Sequence, residues 1–306
     1  VSRWLDEPLG DGLVRRWRLD EVLHEGSTPY QRVLIARTAH GVTLFCDGER
    51  QSAERSQLVY HEALLVPALL LARRVRRVLV VGSSEGVVSQ LAVAAGAETV
   101  DHVDIDQECV RRCAELLPYG YGVAELAAAE RGDGPVRVHY ADGWDFVHGS
   151  DGGYDVVVVD LPDESGAGDS SAGEAAAANS GVAGSGAAPH DRLYGTGFLR
   201  RCRELLAGGG VLAYQAGCPT LWRNATLARA ASRFAEVFPT VAYHGSDEHE
   251  WAFLFGCGEI AAPLALMLRR LPGCRYRPRT IDAGTLRAGS VPPHAIRVGC
   301  RSWTCN

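Results

Sequence analysis

The chain has 306 residues, 46% of them apolar and 22% charged, with a net charge of −6. That is globular-enzyme composition, enough for one large domain or a large and a small one. The acidic balance, with no more than two arginines adjacent anywhere, argues against a nucleic-acid partner, and the apolar stretch Leu64–Ala72 is too short for a membrane span and contains Pro67.

The 9 cysteines are odd in number and scattered, without a CxxC pair or a His/Cys cluster at zinc spacing, so no metal is expected. Cys300 and Cys305 have the spacing to pair, but a reduced cytoplasmic chain is the expectation. No signal peptide is visible, and the missing initiator methionine suggests a trimmed N-terminus.

The first fifty or so residues read as a small antiparallel β unit of two or three hairpin strands, with breaks at Gly26-Ser27 and His40-Gly41. This sets a boundary between an N-terminal β-strand domain (1–55) and a second domain (56–306). A helix is predicted from Ser56 through the apolar run ending near Leu71. Strands near 77–82, 98–104, 136–140, 154–160 and 209–216 then alternate with helices near 86–96, 107–116, 192–206 and 221–237. A final pair, 239–245 and 250–256, closes the sheet as a hairpin. The runs Val78–Val81 and Val156–Val159 have the continuous β-branched character of strands covered on both faces. The fold expected is α/β, a Rossmann-like sheet beside the small β domain. From Pro272 onward no period is visible, and the tail is expected to wrap the surface.

Residues 164–190 break the pattern, 20 of these 27 being Gly, Ala or Ser. Such a stretch buries too little to offset an ordering entropy of roughly 1–2 kcal/mol per residue. It is either a mobile lid over the site or an inert insertion.

Acids stand at successive strand tips, where open α/β sheets bind nucleotides: Asp104, Asp142, and Asp160 with Asp163. The turn Gly82-Ser83-Ser84-Glu85-Gly86 has two glycines, not the three of a dinucleotide fingerprint. The pattern therefore suits a nucleoside without pyrophosphate, such as S-adenosylmethionine. Asp104 is placed to accept hydrogen bonds from a ribose, and Asp142 from a base edge. The competing reading is a sheet whose acids only cap helices.

Together these pieces resemble the polyamine aminopropyltransferases, the spermidine synthase family. Glu25 through Gln31 is similar to its EGxSPYQ signature. Asp47-Gly48, Gln51, Glu54-Arg55 and Tyr60-His61-Glu62 follow DGxxQxxERxxxxYHE. Val103-Asp104-Ile105-Asp106, Asp142-Gly143 and Asp160-Leu161-Pro162-Asp163 resemble its ribose, adenine and DxxD elements. Leu193, Tyr194 and Phe198, then Gln215 through Pro219, then Glu250 through Phe253 resemble its later motifs.

The resemblance implies transfer of a 3-aminopropyl group from decarboxylated S-adenosylmethionine to a small-molecule amine. Asp160 would be the base, Tyr60 its hydrogen-bond partner, and Asp163 the anchor for the acceptor or the donor's cationic end. Gln31, Gln51, His61, Gly82, Glu85, Asp104, Ile105, Asp142 and Gly143 would line the donor. Tyr194, Gln215, Glu250 and Trp251 would line the acceptor. A homo-oligomer, dimer or tetramer, is implied as well. The chain departs from the pattern where the family's GGGDGG is GSSEGVV, and where Ser246-Asp247-Glu248-His249 replaces an acceptor-side aromatic element. These departures point to an acceptor other than putrescine. The alternatives are a methyl or 3-amino-3-carboxypropyl transferase using intact S-adenosylmethionine, with Ser83 and Ser84 receiving its carboxylate, and a non-catalytic nucleoside-binding homologue.

Overall fold

A computed structural model describes residues 3–10, 12–164, 189–219, 224–246 and 251–299. Most of the low-complexity segment, and with it the choice between lid and insertion, lies outside the described residues, as does Glu250.

The N-terminal region contains six strands where two or three were expected. Strands β1 (Arg3–Gly10) and β2 (Leu13–Leu19) form an antiparallel ribbon. Strands β3 (Glu21–Ser27), β4 (Arg32–Thr38), β5 (Gly41–Cys46) and β6 (Glu49–Ala53) form a four-stranded meander. The extra strands escape the pattern because β1 contains Pro8 and β6, Glu-Arg-Gln-Ser-Ala, is mostly polar.

Helix α1 (Gln57–Leu71) follows, and every residue from His61 to Leu71 is buried. Pro67 sits inside it, where a missing N–H ordinarily breaks a helix. Burial on all sides outweighs that cost. One Arg270 guanidinium nitrogen donates to the carbonyls of Leu70, Leu71 and Ala72 and caps the helix's negative end.

The main sheet has seven strands in the order β12-β13-β11-β10-β7-β8-β9. These are β7 (Arg77–Gly82), β8 (Thr99–Asp104), β9 (Val136–Tyr140), β10 (Tyr154–Asp160), β11 (Leu206–Gln215), β12 (Thr240–Ser246) and β13 (Trp251–Cys257). Neighbours from β11 to β9 pair in parallel, and β13 runs antiparallel to both β11 and β12. The α/β, Rossmann-like expectation holds. Alternate side chains of the valine runs feed two cores. Val78, Val80, Val156 and Val158 pack toward α1 and α2 (Val87–Ala94). Leu79, Val81, Val157 and Val159 pack toward α6 (Thr196–Leu205) and α7 (Ala225–Val237).

Between these lie α3 (Gln107–Leu116), α4 (Val123–Arg131) and α5 (Gly143–Gly149), the last two without a counterpart in the sequence reading. Before the tail lies α8 (Pro263–Arg270), and the described part of the tail contains two short helices, α9 (Ala283–Gly289) and α10 (His294–Gly299), α9 opening on a capping box between Asp282 and Thr285. Strand order reverses between β7 and β10, and that crevice at the carboxyl ends of the strands is where an open α/β sheet binds ligands.

Candidate active site

The site is built on the turn after β7. Gly82 has φ +82°, and a Cβ there would lie 2.1 Å from the Asp160 carbonyl oxygen, so only glycine lets β7 and β10 end side by side. Ser83 follows at φ +63°, and its N–H donates to the same carbonyl at 3.1 Å. From below, His102 Nε2 lies 2.9 Å from the Gly82 carbonyl and Nδ1 lies 3.0 Å from Tyr121 Oη. A carbonyl only accepts, so Nε2 carries the proton and Nδ1 accepts from the tyrosine. Burial lowers the His102 pKa to about 4, which keeps the ring neutral and the turn fixed.

Three consecutive residues on the first turns of α1 reach three different elements. Tyr60 Oη donates to Asp160 Oδ1 at 2.5 Å. His61 Nδ1 is 2.6 Å from the Gln57 carbonyl, and its Nε2 faces Glu85 Oε1 at 3.2 Å. Glu62 is fully buried and accepts from Tyr276 Oη, the N–H groups of Arg279 and Thr280, and Thr280 Oγ1.

The electrostatics follow from burial. Burial raises the Asp160 pKa, the Glu85 charge adds to this, and His61 and Tyr60 oppose it only in part. Burial, then the Asp160 charge, hold Tyr60 well above the ordinary phenol value, so it donates and does not ionise. For His61, burial alone would lower the pKa, but pairing with Glu85 outweighs it and the net shift is upward. Glu85 shifts downward, the pull of His61 overcoming burial. The two form a buried imidazolium–carboxylate pair.

Asp104, at the tip of β8, accepts from Ser84 Oγ at 2.7 Å and from the Asp106 N–H at 2.8 Å. Burial still raises its pKa to about 7. Asp142 caps α5 by accepting from the Trp144 N–H at 2.8 Å, and its second oxygen pairs with Arg192 at 2.5 Å. Gly143 beside it is obligatory in another way: a Cβ would meet Val81 at 2.7 Å. Asp163 accepts from Gln215 Nε2 at 2.9 Å, and Gln215 Oε1 in turn accepts from the Gly217 N–H at 3.1 Å. Tyr194 Oη donates to the Pro162 carbonyl. The Trp251 ring stands edge-on to Tyr60, centroids 4.8 Å apart.

Asp160, Tyr60, His61, Glu85 and Trp251 are thus brought into one connected group, and Asp163 is tied to Gln215. Gln31 lies beside the end of β8. Its amide donates at 2.9 Å to Asp106, which also accepts from Thr28 and caps α3. Gln31 therefore fastens the β3–β4 loop to the main sheet. Gln51 is half-buried on β6, and Ile105 is 40% exposed at the end of β8. Sequence reasoning did not assign Asp106, Thr28 or His102; the i to i+3 spacing of Asp106 and Cys109 was the available signal for the cap. Among the described residues no group of His, Cys, Asp or Glu is arranged to hold a metal, and no helix is long and apolar enough to cross a membrane.

Four acids therefore stand at the ends of these strands and turns, Asp104 bonded to Ser84, Glu85 paired with His61, Asp160 bonded to Tyr60 and Asp163 to Gln215. Comparison with known proteins agrees with the motifs. The model of the Spermine/spermidine synthase domain matches residues 57–175. The chain is 31% identical over 236 residues to a polyamine aminopropyltransferase of Synechococcus sp. (strain JA-3-3Ab), covering 74% of this chain and 67% of that protein. It is 30% identical over 273 residues to polyamine aminopropyltransferase 2 of Ralstonia nicotianae, covering 87% of this chain and 47% of that protein. The chain thus spans about half the length of the two Ralstonia relatives, 47% and 46%. In fold, it matches a spermidine synthase crystallised with the transition-state analogue AdoDATO at a TM-score of 0.78, with 18% identity, 97% of this chain and 94% of that one.

Proposed function

The chain belongs to the polyamine aminopropyltransferase family, and from that premise we propose that it moves a 3-aminopropyl group from decarboxylated S-adenosylmethionine to an amine, releasing methylthioadenosine. One observation carries this reading: a half-buried carboxylate with a raised pKa, Asp160, held at 2.5 Å by a phenol that stays protonated.

The acceptor nitrogen attacks the propyl carbon bonded to the sulfonium. The new C–N bond forms as the C–S bond breaks, and the thioether leaves with the electron pair. The sulfonium supplies the leaving group, so the protein's task is to position a neutral amine in line, which contributes roughly 7–11 kcal/mol. Alkylamines are protonated at neutral pH, so a base must take the proton; Asp160 does so, and its raised pKa brings it closer to the working range. Tyr60 keeps the carboxylate oriented. Asp104 receives the ribose hydroxyls in exchange for the Ser84 bond, and Asp142 meets the base edge from the start of α5. Glu85, with His61 behind it, faces the propyl arm. Asp163, steadied by Gln215, takes the ammonium end. Trp251 forms the acceptor wall. A cytoplasmic homo-oligomer, dimer or tetramer, completes the reading.

Mixing the protein with decarboxylated S-adenosylmethionine and a panel of amines should release methylthioadenosine, detected by mass spectrometry. Calorimetry should show the decarboxylated donor binding more tightly than S-adenosylmethionine. Preference for the intact donor, or no release with any amine, would overturn the proposal.

A further inference from the structure

Two serines follow Gly82, and their hydroxyls have different fates. Ser84 Oγ donates to Asp104 at 2.7 Å. Ser83 Oγ is buried with no hydrogen-bond partner among the described residues, the residue as a whole being 6% exposed. A buried hydroxyl left without an acceptor is costly. Ser83 also holds φ +63°, a left-handed backbone that glycine adopts freely and that a Cβ resists. Such a conformation persists only where its surroundings impose it. Ser83 therefore carries two local costs that a glycine in its place would avoid.

Asp160 is what imposes the conformation. The Ser83 N–H donates to the Asp160 carbonyl at 3.1 Å, and Asp160 is the register partner of Gly82 where β10 and β7 end. That bond extends the pairing of the two strands by one residue and ties Ser83 to the residue that bears the base. The side chains interact as well. Burial raises the Asp160 pKa, and the Ser83 hydroxyl, like the Tyr60 phenol, acts in the opposite direction. A neutral donor lowers a carboxyl pKa only by binding the charged form. The charged and titratable groups around Asp160 are His61 and Tyr60 from α1, Glu85 from the turn after β7, and Tyr194 from the 3-10 turn Pro189–Tyr194.

Solvent does not reach the Ser83 hydroxyl, so its acceptor is a group of the protein and not a substrate. We propose that Ser83 is a positioning residue for the base: its hydroxyl donates to the Asp160 carboxylate when that group is ionised, alongside the bond from Tyr60. Two donors from two different elements, α1 and the turn after β7, then hold the carboxylate against rotation while it receives the proton of the acceptor amine. A glycine at position 83 has no hydroxyl to offer. The catalytic consequence rests on the aminopropyl-transfer reading, whereas the hydroxyl–carboxylate bond does not.

The test has one arm for each. In the first, the full chain is labelled with carbon-13 at its aspartate carboxyls, the Asp160 signal is identified by its loss in Asp160→Asn, and its titration is followed by NMR. The Asp160 pKa should rise in Ser83→Ala and in Ser83→Gly, and by the same amount in both. A serine with only a structural role predicts divergence. The glycine variant, relieved of the left-handed strain, would then match wild type, and the alanine variant, which keeps the strain, would not.

The second arm follows methylthioadenosine release with the fastest amine of the panel. The base acts unprotonated, so the acid limb of kcat/KM should move to higher pH in both variants. Loss of a hydrogen bond to a charged group should lower kcat about tenfold, with methylthioadenosine affinity within about threefold of wild type. In the Asp160→Asn background, Ser83→Ala should change kcat by less than about twofold, because the partner it acts through is gone. An Asp160 titration unmoved by both substitutions, or opposite responses of the alanine and glycine variants, would overturn this inference alone. A raised Asp160 pKa in both variants, with no release from any amine in wild type, would uphold the bond and sink the transfer reading.

Discussion

Tyr60 and Asp160 lie 100 residues apart in the chain and share a 2.5 Å hydrogen bond in which the phenol is the donor. Because burial and the Asp160 charge both resist ionisation of the tyrosine, the proton stays on Tyr60. Asp160→Asn preserves shape and removes the base. Turnover should fall by about 10²–10⁴, with methylthioadenosine affinity by calorimetry within about threefold of wild type. Tyr60→Phe should cost less, about tenfold in rate, since it loses orientation and not the base.

Asp104 titrates near neutrality, at about 7, because burial disfavours its charge. A ribose hydroxyl is best received by the ionised form. Affinity for methylthioadenosine should therefore improve as pH rises from roughly 6 to roughly 8 and level off above that. Asp104→Asn should flatten the profile. For folding the sign is opposite. With a folded-state pKa above the ordinary 3.8, the contribution of Asp104 is fully present below that value and lost as pH rises through about 7. Urea titrations at the two ends of this window check it, Asp104→Asn again being the flat control.

His61→Ala should destabilise the protein by about 3–5 kcal/mol, since it strands the Glu85 carboxylate in a buried position without its partner. Adding Glu85→Gln should recover a large part of that loss, because the amide carries no charge to desolvate. Equal stability of the single and double variants would show that the pair is not coupled.

Gly82→Ala tests the geometry of the turn. The left-handed φ and the 2.1 Å approach to the Asp160 carbonyl cannot both survive a Cβ. A loss of more than about 2 kcal/mol is expected, together with weakened nucleoside binding, whereas Gly258→Ala, where a Cβ meets open space, should be tolerated. Thermal denaturation and calorimetry of the two variants suffice.

Much of the main sheet was legible because its signals are local. Val78–Val81 and Val156–Val159 announce two-sided burial within four residues each, and an acid at a strand end needs no partner to be noticed. What stayed hidden depends on distant pairing. That Asp142 would meet Arg192, Gln31 would meet Asp106, and Glu62 would meet Tyr276 and Thr280 is set by how loops far apart in sequence come together. The polar strand β6 and the Pro8-containing strand β1 were missed for a different reason: tertiary pairing overrides a weak alternation.

The divergent aim of Tyr60, His61 and Glu62 has a kinetic consequence. The start of a helix is ordinarily where fraying begins, so its amides exchange with solvent through small openings. Here, opening the first turns of α1 would break bonds to β10, to the turn after β7 and to the segment before α9 at once. The amides around residues 60–62 should therefore exchange as slowly as those of the central strands, by unfolding of the whole domain. Evolutionary change in the tail at Tyr276–Thr280 would then be felt as altered lifetime of the site, even though those residues touch neither the donor nor the acceptor region.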